Sequence, residues 1–352
     1  MDRDSTDALV ARVREATARG APVRVVGGDT KRFYGRAVTG VPLETRGHSG
    51  ILSHDPAELV LTARGGTPLA EVEAQLASHG QRLPFEPPHF GVGATIGGAV
   101  ACGLAGPARA WAGALRDYVL GVRVLTGDGR VLRFGGEVMK NVAGYDVARL
   151  MAGSLGILGV LLDVSLKVLP LPAAERTLAL ESDEAPALER LAELARGALP
   201  LSASGWNADR LYLRFEGSAA TLDAVQQRVG GEVVPESGTF WASLREQTHP
   251  FFGGPRPLWR CTVAPLAPPL ALGGATLIEW NGMQRWYRCE PGVTAFDAAA
   301  AVGGHATWFR SGPGSGEVFA PLAAPVMRLH RELKRSFDPA GILNPGRMYA
   351  DL

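Results

Sequence analysis

From Ser5 to Gly20 the apolar residues Leu9, Val10 and Val13 recur on one helical face, with Ser5 or Thr6 able to cap the start and Gly20 at the end. The β-branched run Val23 to Val26 then predicts a strand that drops into Gly27 and Gly28. A second strand, "ELVLTARGG", leads into "TPLAEVEAQLASHG", where Thr67 is the expected N-cap, Pro68 the first helical residue and Gly80 the stop. "YVLGVRVLTGDGRVLRFG" reads as a hairpin turning at Gly127-Asp128-Gly129. A short helix around Asp146 to Met151 precedes a strand from Val160 to Val168. The alternation predicts an α+β domain with a mixed sheet, ending near Pro170 and Pro172.

Beyond Pro172 the pattern changes. "TLALES", "EAPALERLAELARG", "SASGWN", "RLYLRFEG" and "AATLDAVQQRVGG" read as strand, helix, strand, strand, helix. A looser copy follows in "LWRCTVAP", "TLIEWNG", "RWYRC", "AFDAAAAVGG" and "HATWFR". That arrangement suggests an antiparallel sheet with helices on one face, of the ferredoxin-like kind. Five of the seven tryptophans lie between Trp241 and Trp308, where they are expected to build this second core. A last helix, from about Pro325 to Phe337, ends at "FDPAGILNPGRM". The expected division is 1–171, 172–324 and a C-terminal segment 325–352.

With 352 residues the chain is long enough for roughly two cores. A net charge of +1 gives no footprint for nucleic acid. Cys102, Cys261 and Cys289 are far apart, so neither a zinc ribbon nor a cysteine-ligated iron–sulfur cluster is encoded, and a reducing compartment is expected. The N-terminus, with Asp2, Arg3, Asp4 and Asp7, does not read as a secretory signal. The longest apolar stretch, "GILGVLLDVSLKVLPLP", is interrupted by Asp163 and Lys167 and reads as a buried strand, with no membrane span.

Candidate chemistry sits in glycine. After the strand, Gly27, Gly28, Asp29, Thr30 and Lys31 fit neither G-x-G-x-x-G nor a G-K-[ST] loop. "GVGATIGGAVACGLAG" brings Gly91, Gly93, Gly97, Gly98, Gly103 and Gly106 together, with Thr95 able to cap a short helix. "KNVAGYD" and "GSLGILGV" follow. Such loops present backbone N–H groups that suit phosphate, or they only permit close helix-to-sheet packing. Both readings stand for any single loop.

Their order is more specific. The first loop, "ATIGG", "YVLGVRVLTGDGRVL", the lysine with Gly-Tyr-Asp, "GSLGILG" and "FDPAGILNPG" run from Val25 to Met348. In this the chain resembles the FAD-binding domain of the vanillyl-alcohol oxidase and p-cresol methylhydroxylase (PCMH) superfamily, over its first half and its C-terminal segment. Within it the wording is most similar to FAD-binding (E) subunits of bacterial glycolate oxidases. The resemblance implies a two-subdomain PCMH-type FAD-binding domain, the ferredoxin-like sheet as its cap, and a C-terminal segment that returns to the FAD domain. It implies that Val26, Gly27, Gly28, Asp29, Thr30 and Lys31 wrap the FAD pyrophosphate. Gly93, Thr95, Gly97, Gly98 and the turn Cys102, Gly103, Leu104 would lie along pyrophosphate and ribityl chain, and Gly156, Gly159 and Val160 would border the adenosine. Two positions depart from the pattern. Asp29 stands where relatives commonly have glycine, and its carboxylate must point away or pair with Lys31. Thr30 stands where covalent members carry a histidine, so FAD should be non-covalent.

Hydroxy-acid-oxidising relatives carry an "HGHGDGN"-like motif that this chain lacks. His48, His54, His79, His89, His249, His305 and His330 are scattered with no metal-ligand spacing, so no metal site is expected, although His249 or His305 could meet the flavin in space. Lys140, Tyr145 and Arg116 lie in or beside blocks that approach the cofactor in relatives, with no catalytic role assigned. The resemblance implies an FAD-binding subunit of a glycolate oxidase (dehydrogenase) that works with a longer FAD-containing subunit and an iron–sulfur subunit. It implies a cytoplasmic location, reaching the inner face of the membrane only through partners. The alternatives are a stand-alone FAD-dependent oxidase of a hydroxy acid or alcohol, and a non-catalytic subunit that has kept the fold.

Overall fold

The computed structural model describes residues 3–136, 146–310 and 316–352. Helix α1 (Thr6–Arg19) buries Leu9, Val13 and Ala16 and stops where Gly20, at φ +59°, turns its N–H back onto the carbonyls of Ala16 and Thr17. Its start differs from the expected cap. The Ser5 hydroxyl donates to the Gly47 carbonyl at 3.0 Å, and the Asp4 carboxylate accepts the Thr6 N–H at 2.8 Å instead. Next come β1 (Val23–Val26), β2 (Val41–Glu44), β3 (Ile51–Asp55), β4 (Val60–Arg64) and α2 (Leu69–Ala77). Pro68, not Thr67, occupies the N-cap of α2, because the Thr67 hydroxyl is buried and bonded to the N–H and carbonyl of Gly50 at 2.9 and 3.1 Å.

The rest of this half holds β5 (Gln81–Arg82), α3 (Ile96–Cys102), α4 (Arg109–Ala112), β6 (Val119–Leu125), β7 (Val131–Gly135), α5 (Val147–Leu150), β8 (Val160–Lys167) and β9 (Leu169–Pro170). The sheet is not mixed as expected. β1 and β2 form a separate parallel pair, while the order β3-β4-β8-β6-β7 is antiparallel throughout. The apolar run of β8 is explained by position: as the central strand it is covered on both faces, by Leu69, Val72 and Val100 among others on one and by α1 residues Leu9 and Val13 on the other.

β10 (Ala174–Glu181), α6 (Glu184–Ala195), β11 (Leu201–Asn207), β12 (Arg210–Gly217), α7 (Ala219–Val229), β13 (Glu232–Val233) and α8 (Ser237–Arg245) follow. β14 (Leu258–Thr262), β15 (Ala275–Glu279), β16 (Gln284–Arg288), α9 (Phe296–Ala301), β17 (His305–Arg310) and α10 (Ala324–Phe337) complete the order. The two strand–helix copies join into one antiparallel sheet, β13-β10-β12-β11-β15-β16-β14-β17, through the β11–β15 pairing of Gly205 with Glu279. As expected, Trp241, Trp259, Trp280 and Trp286 are buried.

An apolar layer of Tyr34, Leu104, Leu155, Trp241, Trp286 and Phe309 sits where the sheets meet. Around it, Arg82 forks onto the Glu216 carboxylate and Arg214 reaches Glu86 at 2.7 Å. These contacts seat the end of β17 above the glycine loops.

Candidate functional site

A cavity of about 410 Å³ opens between the loop after β1, the start of α3, the turn before β8, β17 and the C-terminal turn. Val26, Gly27, Gly28, Asp29, Thr30, Lys31, Thr95, Gly97, Gly98, Cys102, Gly156, Gly159 and Val160 all line it, as the sequence led us to expect. Three expected residues do not. Gly103, at φ +62°, closes α3 against Gly153, and Leu104 turns into the apolar layer between the sheets. Gly93 stands behind the wall, since a Cβ on Gly28 would fall 1.6 Å from its carbonyl oxygen. That contact holds the two glycine loops together.

Within the first loop, the backbone N–H groups of Gly27 to Lys31 donate to no acceptor among the described residues. Five successive free donors in a concave loop form a nest for an anion. Asp29 adopts φ +55°, the left-handed region glycine favours, and its carboxylate pairs with Arg24 at 3.0 Å and more loosely with Arg32 at 3.9 Å. Of the two arrangements expected for Asp29, pairing with Lys31 does not form. Lys31 instead donates to the His89 carbonyl at 3.1 Å, and burial pushes its amine below the ordinary range. Burial pushes the Cys102 thiol up, which keeps it protonated and unreactive.

The neighbouring glycines of α3 face different ways. A Cβ on Gly97 would meet the backbone of Gly65 at 2.6 Å, whereas one on Gly98 would meet only the Thr95 hydroxyl at 3.1 Å. Thr95 caps the helix by accepting the Gly98 N–H at 3.2 Å. Gly97 therefore lets α3 lie on the sheet, and Gly98 keeps the cavity clear.

The C-terminal turn contributes residues that sequence reasoning missed. Asn344 accepts the Val25 N–H at 2.8 Å and donates to the Leu155 carbonyl at 2.7 Å, bracing β1 against the turn that carries Gly156. Arg347 donates to the carbonyls of Arg36, Lys31 and Arg32 at 2.8, 3.2 and 3.1 Å, clamping the first loop from outside. Arg36 in turn reaches the Gly316 carbonyl at 2.8 Å and Glu317 at 4.0 Å. Trp308, Phe309 and Arg310 of β17 complete the wall. The "NPG" wording marked the turn as important, but nothing local singled out Asn344, Arg347 or Arg310.

Other candidates stay apart. Arg116 is exposed beside Asp117, and neither His249 nor His305 reaches the cavity wall. Lys140 and Tyr145 lie outside the described residues. Among the described residues no group of His, Cys, Asp and Glu could hold a metal ion, and no helix is long and apolar enough to cross a membrane. The free N–H groups, the cleared face at Gly98 and the flanking Arg24, Arg36 and Arg347 fit a cofactor carrying a diphosphate.

Comparison with known proteins agrees. Residues 3–135 match the family described as FAD binding domain. The glycolate oxidase subunit GlcE of Escherichia coli (strain K12) is 49% identical over 350 residues, 99% of each chain. The glycolate oxidase subunit GlcD of Bacillus subtilis (strain 168) is 34% identical over 128 residues, 36% of this chain and 27% of that one. A D-lactate dehydrogenase of Archaeoglobus fulgidus is 30% identical over 202 residues, 56% of this chain and 45% of the other. Among solved structures, an alkyldihydroxyacetonephosphate synthase superposes with a TM-score of 0.68 at 16% identity, over 96% of this chain and 75% of that one, a likeness of fold.

Proposed function

The chain belongs to the family of glycolate oxidase GlcE subunits, and on that premise we propose that it is the FAD-binding subunit of a glycolate oxidase complex. In this role it supports oxidation of glycolate to glyoxylate, with electrons leaving through partner subunits. The observation that carries the reading is the end-to-end match to a glycolate oxidase subunit in a chain whose glycine loops enclose a diphosphate-sized nest.

FAD is the cofactor, and when bound it supplies the two-electron sink for a hydroxy acid. In our assignment the Gly27 to Lys31 donors hold the diphosphate, Thr95, Gly98 and Cys102 border it, and Gly156, Gly159 and Val160 face the adenosine. Thr30 occupies the position of the flavin-linking histidine, and no histidine lines the described wall, which supports a non-covalent cofactor. The chain divides, on this reading, into an FAD domain (1–171), a cap (172–324) and a returning segment (325–352).

The partners follow from what the chain lacks. The described wall carries no histidine, and its carboxylates Asp29 and Glu317 face Arg24 and Arg36, so a longer flavoprotein subunit related to GlcD is assigned the substrate chemistry. The same 128 aligned residues make 36% of this chain but only 27% of GlcD, so that protein is the longer. Cys102, Cys261 and Cys289 are free thiols, so cluster-based electron transfer is assigned to an iron–sulfur subunit. We place the assembly in the cytoplasm, at the inner face of the membrane through those partners.

Glycolate-dependent dye reduction by the FAD-loaded chain alone and by the reconstituted complex tests the reading. Loss of a general base alone removes about 10² to 10⁴ of rate, so the lone chain should be almost inactive. Turnover by the chain alone at the rate of the complex would identify a stand-alone oxidase instead.

A further inference from the structure

Among the described residues, the cations of the cavity wall are engaged by carboxylates or backbone carbonyls, with one exception. Arg24 is paired with a carboxylate, Arg36 reaches both a carbonyl and Glu317, and Lys31 and Arg347 are bound by carbonyls. Arg310 has neither a carboxylate nor a backbone carbonyl partner among the described residues. Its Nε donates to Gln247 Oε1 at 2.8 Å, which leaves the two terminal nitrogens without an acceptor among the described residues. The guanidinium lies over aromatic rings instead, its Cζ 3.7 Å from the ring centre of Phe33 and 4.9 Å from that of Phe90. Burial and the nearby Arg288 lower its pKa to about 10, so it stays charged at neutral pH.

A half-buried cation without a counter-charge is unfavourable unless a ligand supplies one. The terminal nitrogens, with no acceptor among the described residues, can present two N–H donors to a planar carboxylate. The diphosphate already has its own donors in the first loop, and the aromatic surroundings suit a small molecule. We propose that Arg310 is the carboxylate-binding residue of the cavity, taking a small 2-hydroxy monocarboxylate or its oxo product. The inference deepens the functional reading above and rests on it. It also separates binding from turnover: β17 supplies the cation, while the base is assigned to the partner subunit.

The test is titration of the FAD-loaded chain with oxalate, which cannot be oxidised by hydride loss, read from the visible flavin spectrum. Glycolamide, of similar size and neutral, is the control. A saturable perturbation by oxalate but not glycolamide is expected. Arg310→Met should weaken it by at least about tenfold with flavin content unchanged, and Arg310→Lys should fall between. No saturable oxalate effect in the wild-type chain would overturn the proposal, whatever the variants do. So would loss of flavin from a folded Arg310→Met protein, since the guanidinium would then serve the cofactor. If the wild-type chain holds no flavin at all, the functional reading fails separately. Tryptophan fluorescence, with Trp308 on the wall, then reports whether oxalate still depends on Arg310.

Discussion

Gly97 and Gly98 are adjacent in sequence, yet the structure assigns them opposite consequences. A methyl on Gly97 would lie 2.6 Å from the Gly65 carbonyl oxygen and 2.9 Å from the Gly65 Cα, both backbone atoms that cannot rotate aside. Gly97→Ala must therefore push α3 off the end of β4, at an overpacking cost of about 1–3 kcal/mol. At Gly98 the nearest atom is the Thr95 hydroxyl at 3.1 Å, a side chain that can adjust. Gly98→Val should leave stability within about 0.5 kcal/mol of wild type, because valine is no worse than glycine in a helix. Its side chain, however, projects into the cavity where the diphosphate is assigned. A steric loss of about 1–3 kcal/mol there weakens FAD roughly 5- to 150-fold. Urea denaturation of the flavin-free proteins and titration with FAD, followed by flavin fluorescence quenching, separate the two effects. A Gly98→Val protein that holds a full complement of flavin, or a Gly97→Ala protein as stable as wild type, would refute the assignment.

Three further outcomes are expected. Lys334 donates to the Ile157 carbonyl, the Asp338 carboxylate and the Leu343 carbonyl at 2.9, 2.7 and 2.6 Å, so Lys334→Met strands a fully buried carboxylate and should cost about 3–5 kcal/mol in urea unfolding. A cost below about 1 kcal/mol would mean that the pair is dispensable. Burial raises the Glu279 carboxyl from 4.5 to about 7, against hydrogen bonds from Trp286 and Gln284. An acid with a raised folded pKa stabilises fully below its unfolded value and loses that contribution as pH rises through the folded one. The stability of wild type relative to Glu279→Gln should thus fall between pH 5 and pH 8, by up to about 3 kcal/mol, and a flat difference would contradict it. Finally, acid precipitation should release FAD into the supernatant; FMN there, or flavin retained in the pellet, would count against a non-covalent FAD held by two glycine loops.

The elements were largely legible along the chain, because they depend on interactions a few residues apart. α1 ends at Gly20 and the β6–β7 hairpin turns at Gly127 to Gly129 as their residue types dictate. The six ordered glycine-containing blocks pointed to FAD through their resemblance to a known family, while loop chemistry alone left phosphate binding and close packing both open. Caps were less legible. Thr67 is an apt N-cap by composition, but its hydroxyl satisfies the buried backbone of another segment instead.

 The partner it finds, Gly50, lies 17 positions earlier and is brought close only by the fold.

The chain's own pattern thus determined most of the strands and helices and marked the glycine loops, because periodicity and turn chemistry are properties of short segments. Tertiary structure alone decided how those loops are held and what faces them. Asn344 meets Val25 across 319 positions and Arg36 meets Gly316 across 280, so no local window contains either contact. The same holds for Arg310. On sequence it is one arginine at the end of an ordinary strand, and it reaches the cavity wall only because β17 is the edge strand of its sheet and the sheet is seated over the glycine loops by the apolar layer around Tyr34 and Phe309. Burial and the loss of water around that guanidinium arise from packing between distant segments, and packing of that kind leaves no signature in the residues on either side.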